Sequence, residues 1–159
     1  MKYRRIGVGK LVDALYKEEL SDFVPSSILR QGRLIHAKLG YQESITLARY
    51  FEFADIGWLI LGNPDLIDGN TIAELKVSFS RNKINRLKEK GETQANIYAW
   101  MGDFPYYRCD IYSQYNNKLE IGEKKRTDSK KATEDVRTAL SIVLGFEELI
   151  KKRKEIERK

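Results

Sequence analysis

The spacing of apolar residues changes repeatedly along the chain, and each change marks the boundary of a predicted element. Leu11 and Leu15 lie four residues apart, which is typical of an amphipathic helix, and we place this helix at residues 10–20. A second helical pattern follows a serine pair able to cap a helix, and it should run from Ser26 to Gly40. Each pattern predicts a helix that buries one face against a core.

β-branched and aromatic residues dominate the middle of the chain and predict strands. Three consecutive strands, at about residues 45–53, 57–67 and 71–78, should form a meander. An Asp-Gly-Asn sequence at residues 68–70 predicts the tight turn between the last two. This hairpin is the segment around which the rest of the chain is expected to fold.

The second half of the chain continues with a helix between strands. The polar, basic segment 80–91 is predicted as a connection with a short helix, and Thr93 should cap a helix ending at Met101. Strands are predicted at residues 106–112 and 118–124. A strand, a helix and another strand in succession imply a crossover into one sheet. The predicted fold class is therefore α/β, with a central mixed sheet flanked by helices.

The last helix should begin after Asp128 and bury one apolar stripe. From about residue 151 it is expected to continue as a charged helical tail that stays solvated. The length of 159 residues suits one domain, so we predict a single domain over residues 1–159.

Composition limits the possible partners and cofactors. The net charge of +6 makes a polyanionic partner plausible without requiring one. The single cysteine, Cys109, excludes an internal disulfide and a four-cysteine iron–sulfur cluster. No apolar run reaches the length of a membrane span and no signal-peptide core is present, so we expect a cytoplasmic protein without a membrane partner.

The predicted hairpin carries three charges close together. Asp65 interrupts an apolar run, and Glu74 and Lys76 are two residues apart, which places both on one face of a strand. Ala73 and Leu75 point to the other face. Because unpaired buried charge is costly, such a cluster usually pairs internally or holds a metal ion.

These motifs resemble the signature of the PD-(D/E)XK nuclease superfamily. The match to the signature consists of Pro64-Asp65 followed by Glu74-Leu75-Lys76. Two further features resemble its RecB-like branch: Gln94 and Tyr98 form a Gln-x-x-x-Tyr motif, and His36 lies on an upstream helix. The order of the four elements is that of the branch.

The resemblance implies a restriction-endonuclease-like core and a Mg²⁺- or Mn²⁺-dependent deoxyribonuclease, similar to small CRISPR-associated or viral exonucleases but without an iron–sulfur cluster. It implies that the metal ligands are His36, Asp65, Glu74 and the backbone carbonyl of Leu75. Lys76 would orient the attacking water. Gln94 and Tyr98 would position the DNA backbone or flank the metal.

Two alternatives to an exonuclease on single-stranded or frayed ends remain. One is a structure-selective endonuclease of the Holliday-junction-resolvase type, and the other is a non-catalytic nucleic-acid-binding module. The basic segment also has two interpretations. Arg81, Lys83 and Arg86 follow the Glu-x-Lys strand and are candidate DNA contacts, but the segment could be a solvated connection, with the tail binding DNA instead. The oligomeric state stays open.

Overall fold

The computed structural model describes residues 2–17 and 26–158, which contain eight strands and four α-helices. In chain order these are β1 (Lys2–Gly7), α1 (Val8–Leu15), α2 (Ser26–Lys38), β2 (Leu47–Phe53), β3 (Ile56–Gly62), β4 (Leu66–Asp68), β5 (Thr71–Ser78), α3 (Ile84–Met101), β6 (Tyr106–Ser113), β7 (Lys118–Glu120), β8 (Lys125–Arg126) and α4 (Ser129–Glu157). A short 3₁₀ turn, Arg81–Lys83, precedes α3.

The strands form two mixed sheets, which confirms the α/β class. The first sheet has the order β1-β3-β2, with β1 parallel and β2 antiparallel to β3. Strand β1 was not predicted. It is a highly charged edge strand of which only Ile6 is buried, so its sequence lacks the apolar alternation of a strand.

The second sheet has the order β4-β5-β6-β7, and β8 pairs with β6. The predicted strand 57–67 is in fact two strands, β3 and β4, which belong to different sheets. The break falls at residues 63–65, where Pro64 has no N–H to donate to a ladder. Strands β5 and β6 are parallel neighbours joined through α3, as the predicted crossover requires.

The main core lies where α1, α3 and α4 pack against the sheets. Its largest fully buried side chains include Trp58, Ile60, Ile72, Ile97 and Leu140. A smaller cluster of Tyr41, Ala73 and Leu75 covers the other face of β5. Strand β5 is therefore packed on both faces, which fixes the side-chain direction of every residue in it.

Helix α3 begins at Ile84, nine residues before the predicted start. The hydroxyl of Ser80 caps the preceding 3₁₀ turn by accepting from Asn82 N. Thr93 is not a cap, because it lies inside the helix and its Oγ1 is 2.7 Å from the Tyr16 hydroxyl. The first turns contain good helix formers but little apolar periodicity, which explains the error.

The terminal helices agree with prediction over most of their length. Helix α1 ends at Leu15, and the predicted residues 18–20 lie outside the described ranges. Asp128 caps α4 by accepting from Lys131 N at 2.9 Å, and α4 continues as an exposed helix to Glu157. Within residues 2–17 and 26–158, no helix is long and apolar enough to cross a membrane.

Candidate active site

Asp65 and Glu74 are hydrogen-bonded to each other across the β4–β5 hairpin. Asp65 lies at the break between the sheets, where its Oδ2 accepts from Leu75 N at 2.8 Å. Its own N–H donates to Glu74 Oε1 at 3.0 Å. Each residue therefore orients the other, and the hairpin register brings the two carboxyl groups together.

The two carboxyl groups have opposite pKa shifts. Complete burial raises the pKa of Glu74 well above its usual value, and the charge of Asp65 raises it further. Burial also acts to raise the pKa of Asp65, but hydrogen bonds with His36, Glu74 and the Leu75 N–H outweigh it and lower that pKa. The pair therefore favours a charged Asp65 beside a protonated Glu74.

His36 reaches this pair from α2. Its Nδ1 lies 2.7 Å from the Gly32 carbonyl oxygen, and its Nε2 lies 3.1 Å from Leu75 O and 3.4 Å from Asp65 Oδ2. Because a carbonyl oxygen only accepts, both ring nitrogens must carry a proton to satisfy these contacts. The hydrogen bond to Asp65 accordingly raises the pKa of His36, despite the opposing effect of burial.

Lys76, Gln94 and Tyr98 form the second half of the site. Lys76 Nζ donates to Gln94 Oε1 at 2.7 Å, and the Gln94 side chain acts to lower the pKa of Tyr98. Burial and the charge of Glu74 raise the pKa of Tyr98 above its usual value. Gln94 therefore faces β5, while the Tyr98 ring packs against Gly62 at the end of β3.

Two glycines allow this close packing and were not recognised in the sequence. A Cβ on Gly62 would lie 2.7 Å from Tyr98 Cε1, and a Cβ on Gly91 would overlap Cys109 Sγ and lie 3.0 Å from Lys76 Cγ. Only Gly91 had a signal in the sequence, because a glycine inside a helix is usually retained where a neighbouring side chain packs closely against the backbone.

A buried ionic network on the other face of β5 was also missed. Asp110 is fully buried and accepts from Tyr41 Oη at 2.5 Å, Arg108 Nε at 3.0 Å and Gly122 N at 2.8 Å. The backbone N–H of Tyr41 donates to His36 O at 2.8 Å. The network thus anchors the end of α2, and with it His36, to β6.

The donor set suits a hard divalent cation. Leu75 O and Asp65 Oδ2 both lie within 3.4 Å of His36 Nε2. The Glu74 carboxyl group is next to them, because it accepts a hydrogen bond from the Asp65 N–H. Carboxylate and carbonyl oxygens are ligands that Mg²⁺ and Mn²⁺ prefer, and an imidazole favours Mn²⁺. No group of three His, Cys, Asp or Glu side chains positioned for metal binding occurs among the described residues, so the fit depends on the Leu75 carbonyl.

The predicted DNA contacts lie on the 3₁₀ turn and the first turn of α3. Arg81, Lys83 and Arg86 are exposed. The guanidinium of Arg81 lies 5.2 Å from the centre of the Tyr115 ring, and Arg86 donates to Tyr16 O at 2.7 Å. Arg86 therefore has a structural partner at the end of α1.

No family model matches this chain, and no curated protein matches it. Its fold is similar to that of the solved protein SSO0001, with a TM-score of 0.64, 20% identity, and coverage of 88% of this chain and 75% of that one. It is also similar to the alkaline exonuclease LHK-Exo from Laribacter hongkongensis, with a TM-score of 0.53, 14% identity, and coverage of 98% and 95%. The complex of LHK-Exo with dAMP gives a TM-score of 0.51 at 14% identity, with 97% and 94% coverage. This chain therefore shares its fold with an exonuclease.

Proposed function

We propose that this chain is a single-domain, divalent-metal-dependent deoxyribonuclease of the PD-(D/E)XK superfamily, on its RecB-like side. The observation that carries the proposal is the convergence of His36, Asp65, Glu74 and the Leu75 carbonyl, next to the Lys76–Gln94 pair. These are the positions that the sequence motifs single out, and separate segments of the chain bring them together.

His36, Asp65, Glu74 and the Leu75 carbonyl would hold the metal ion. When bound, the cation polarises the phosphate and lowers the pKa of a coordinated water. To act as ligands, His36 must release its Nε2 proton and Glu74 must release its own proton. Because the pKa values of both groups are raised in the metal-free arrangement, metal binding should be tighter at higher pH.

Lys76 would act on the substrate directly. Its ammonium is fixed by Gln94 Oε1, so its position needs no reorganisation when negative charge develops on the phosphate. The raised pKa of Tyr98 keeps its phenol neutral, which suits a hydrogen bond to a phosphate oxygen or to Gln94. Together these side chains would orient the scissile phosphodiester and the attacking water.

We propose exonuclease action on single-stranded or frayed DNA ends, supported by the fold shared with LHK-Exo. The test incubates end-labelled linear DNA and covalently closed circular DNA with Mg²⁺, Mn²⁺ or EDTA. Faster loss of linear single strands, abolished by EDTA, is the expected result. Rapid cutting of closed circles or of branched junctions would instead identify an endonuclease. DNA binding without cleavage in either metal would identify a binding module.

A further inference from the structure

The second half of α4 carries an apolar stripe that is separate from the one packed in the core. The core stripe consists of Ala132, Val136, Ala139, Leu140 and Val143. The outer stripe is exposed to between 39% and 73% and consists of Ile142, Phe146, Leu149, Ile150 and Ile156. Five large exposed apolar side chains within four turns of one helix are unusual for a surface without a partner.

The outer stripe has the spacing of a helix–helix interface. Ile142, Phe146, Leu149, Arg153 and Ile156 are separated by four, three, four and three residues. That alternation is the 3.5-residue repeat with which one helix packs along another, and Arg153 occupies one polar position in it. The matching partner is therefore another helix with a similar repeat.

We propose that a second copy of this chain docks here, with the two α4 helices antiparallel and the two Leu149 side chains facing each other. This arrangement lays residues 150–158 of one copy against residues 140–148 of the other. The first segment has five basic and two acidic residues, a net +3, and the second has only Glu148 and Glu147, a net −2, of which Glu147 also pairs with Arg4 in its own chain. Opposite charges therefore meet, whereas a parallel pair would place +3 beside +3.

Gly145 supports close approach of a second helix at this surface. A Cβ at this position would meet nothing within 4 Å, so packing within the chain does not require glycine. Glycine inside a helix is destabilising relative to alanine. If a partner helix crosses beside Phe146, the absence of a side chain at Gly145 allows the two helix backbones to approach closely.

Sedimentation equilibrium on the full chain over a wide range of concentration tests the docking. The wild-type chain should form a dimer. Leu149→Glu should raise the dissociation constant of this dimer by at least about tenfold, because the variant no longer buries a leucine side chain and places two like charges opposite each other. Ile121→Glu is the matched control, since Ile121 is 60% exposed and lies in the segment between β7 and β8, outside the outer stripe, so it should leave the dimer unchanged. A wild type that stays monomeric, or equal weakening by both variants, overturns the proposal.

Cysteine cross-linking tests the orientation. Cys109 is buried, so an introduced surface cysteine is the accessible thiol. Under mild oxidation Leu149→Cys should give a covalent dimer, because the two positions face each other within disulfide reach. Ile156→Cys should not, since an antiparallel pair places it against Ile142. Equally fast cross-linking of both variants would show a parallel pair and contradict the proposed arrangement.

Discussion

His36 Nε2 lies 3.4 Å from Asp65 Oδ2, and the two side chains come from segments separated by a whole strand pair. This contact joins α2 to the β4–β5 hairpin, and through it the helix that carries the histidine is fixed to the carboxylate pair. The charge of each group stabilises the other in the metal-free protein. A cation bound by both would replace that attraction.

Removing the carboxylate charge should lower the pKa of His36. Asp65→Asn abolishes the ion pair that contributes most to raising this pKa, and burial is then opposed only by the hydrogen bonds to the Gly32 and Leu75 carbonyl oxygens. His36 is the only histidine in the sequence, so its imidazole resonance can be followed in an NMR titration without ambiguity. An unchanged titration midpoint would show that Asp65 does not contact the ring.

The metal-free protein should lose stability as the pH rises above about 4.5, the ordinary pKa of the Glu74 carboxyl. Because the folded-state pKa of Glu74 is raised, the folded chain binds more protons than the unfolded chain through this range. Glu74→Gln keeps the acceptor for Asp65 N–H and removes the buried charge, so it should flatten the decline and raise stability at neutral pH. Urea unfolding in EDTA at several pH values measures both effects.

Gly62→Ala should destabilise the fold by about 1–3 kcal/mol, because its Cβ would overlap the Tyr98 ring. Gly9→Ala is the control: Gly9 lies in α1 and its Cβ would meet nothing within 4 Å, so this variant should be neutral or stabilising. Thermal unfolding distinguishes the two. Equal melting temperatures would contradict the close packing of β3 against α3.

The salt dependence of DNA binding should identify the contacting basic residues. Replacing Arg81 and Lys83 with alanine should reduce the slope of log affinity against log salt by about two, one for each lost phosphate contact. Lys151→Ala with Lys152→Ala, on the exposed end of α4, is the charge-matched comparison. If only the second pair changes the slope, the tail binds DNA and the segment after β5 is a plain connection.

Elements with a strong hydrophobic periodicity could be predicted from the sequence. Elements whose pairing depends on residues far away in the chain could not. The hairpin and the face assignment of Glu74 and Lys76 follow from a two-residue repeat, so they could be predicted. Strand β1 could not, because its pairing with β3 depends on a partner more than fifty residues away. The division into two sheets at Pro64 is likewise a matter of long-range pairing.

For the candidate site, the short motifs predicted which side chains lie close together, whereas no motif predicted the buried network. Asp110 looks like an ordinary outward-facing residue in an alternating strand, yet it is fully buried because Arg108 and Tyr41 satisfy its carboxylate. Nothing local in the sequence signals that arrangement. The role of Gly62 is equally invisible, since the ring that it accommodates lies on another element.

We propose that Asp65 holds a metal ion while Lys76 acts on the substrate, and a paired measurement of metal binding and cleavage separates the two roles. Mn²⁺ affinity by calorimetry and the rate of cleavage of linear single-stranded DNA are measured on the same preparations of wild type, Asp65→Asn and Lys76→Ala. Asp65→Asn should lose Mn²⁺ binding and cleavage together. Lys76→Ala should bind Mn²⁺ as wild type does while its cleavage rate falls at least about 100-fold. Cleavage at the wild-type rate by either variant would show that the substituted residue is not part of the active site.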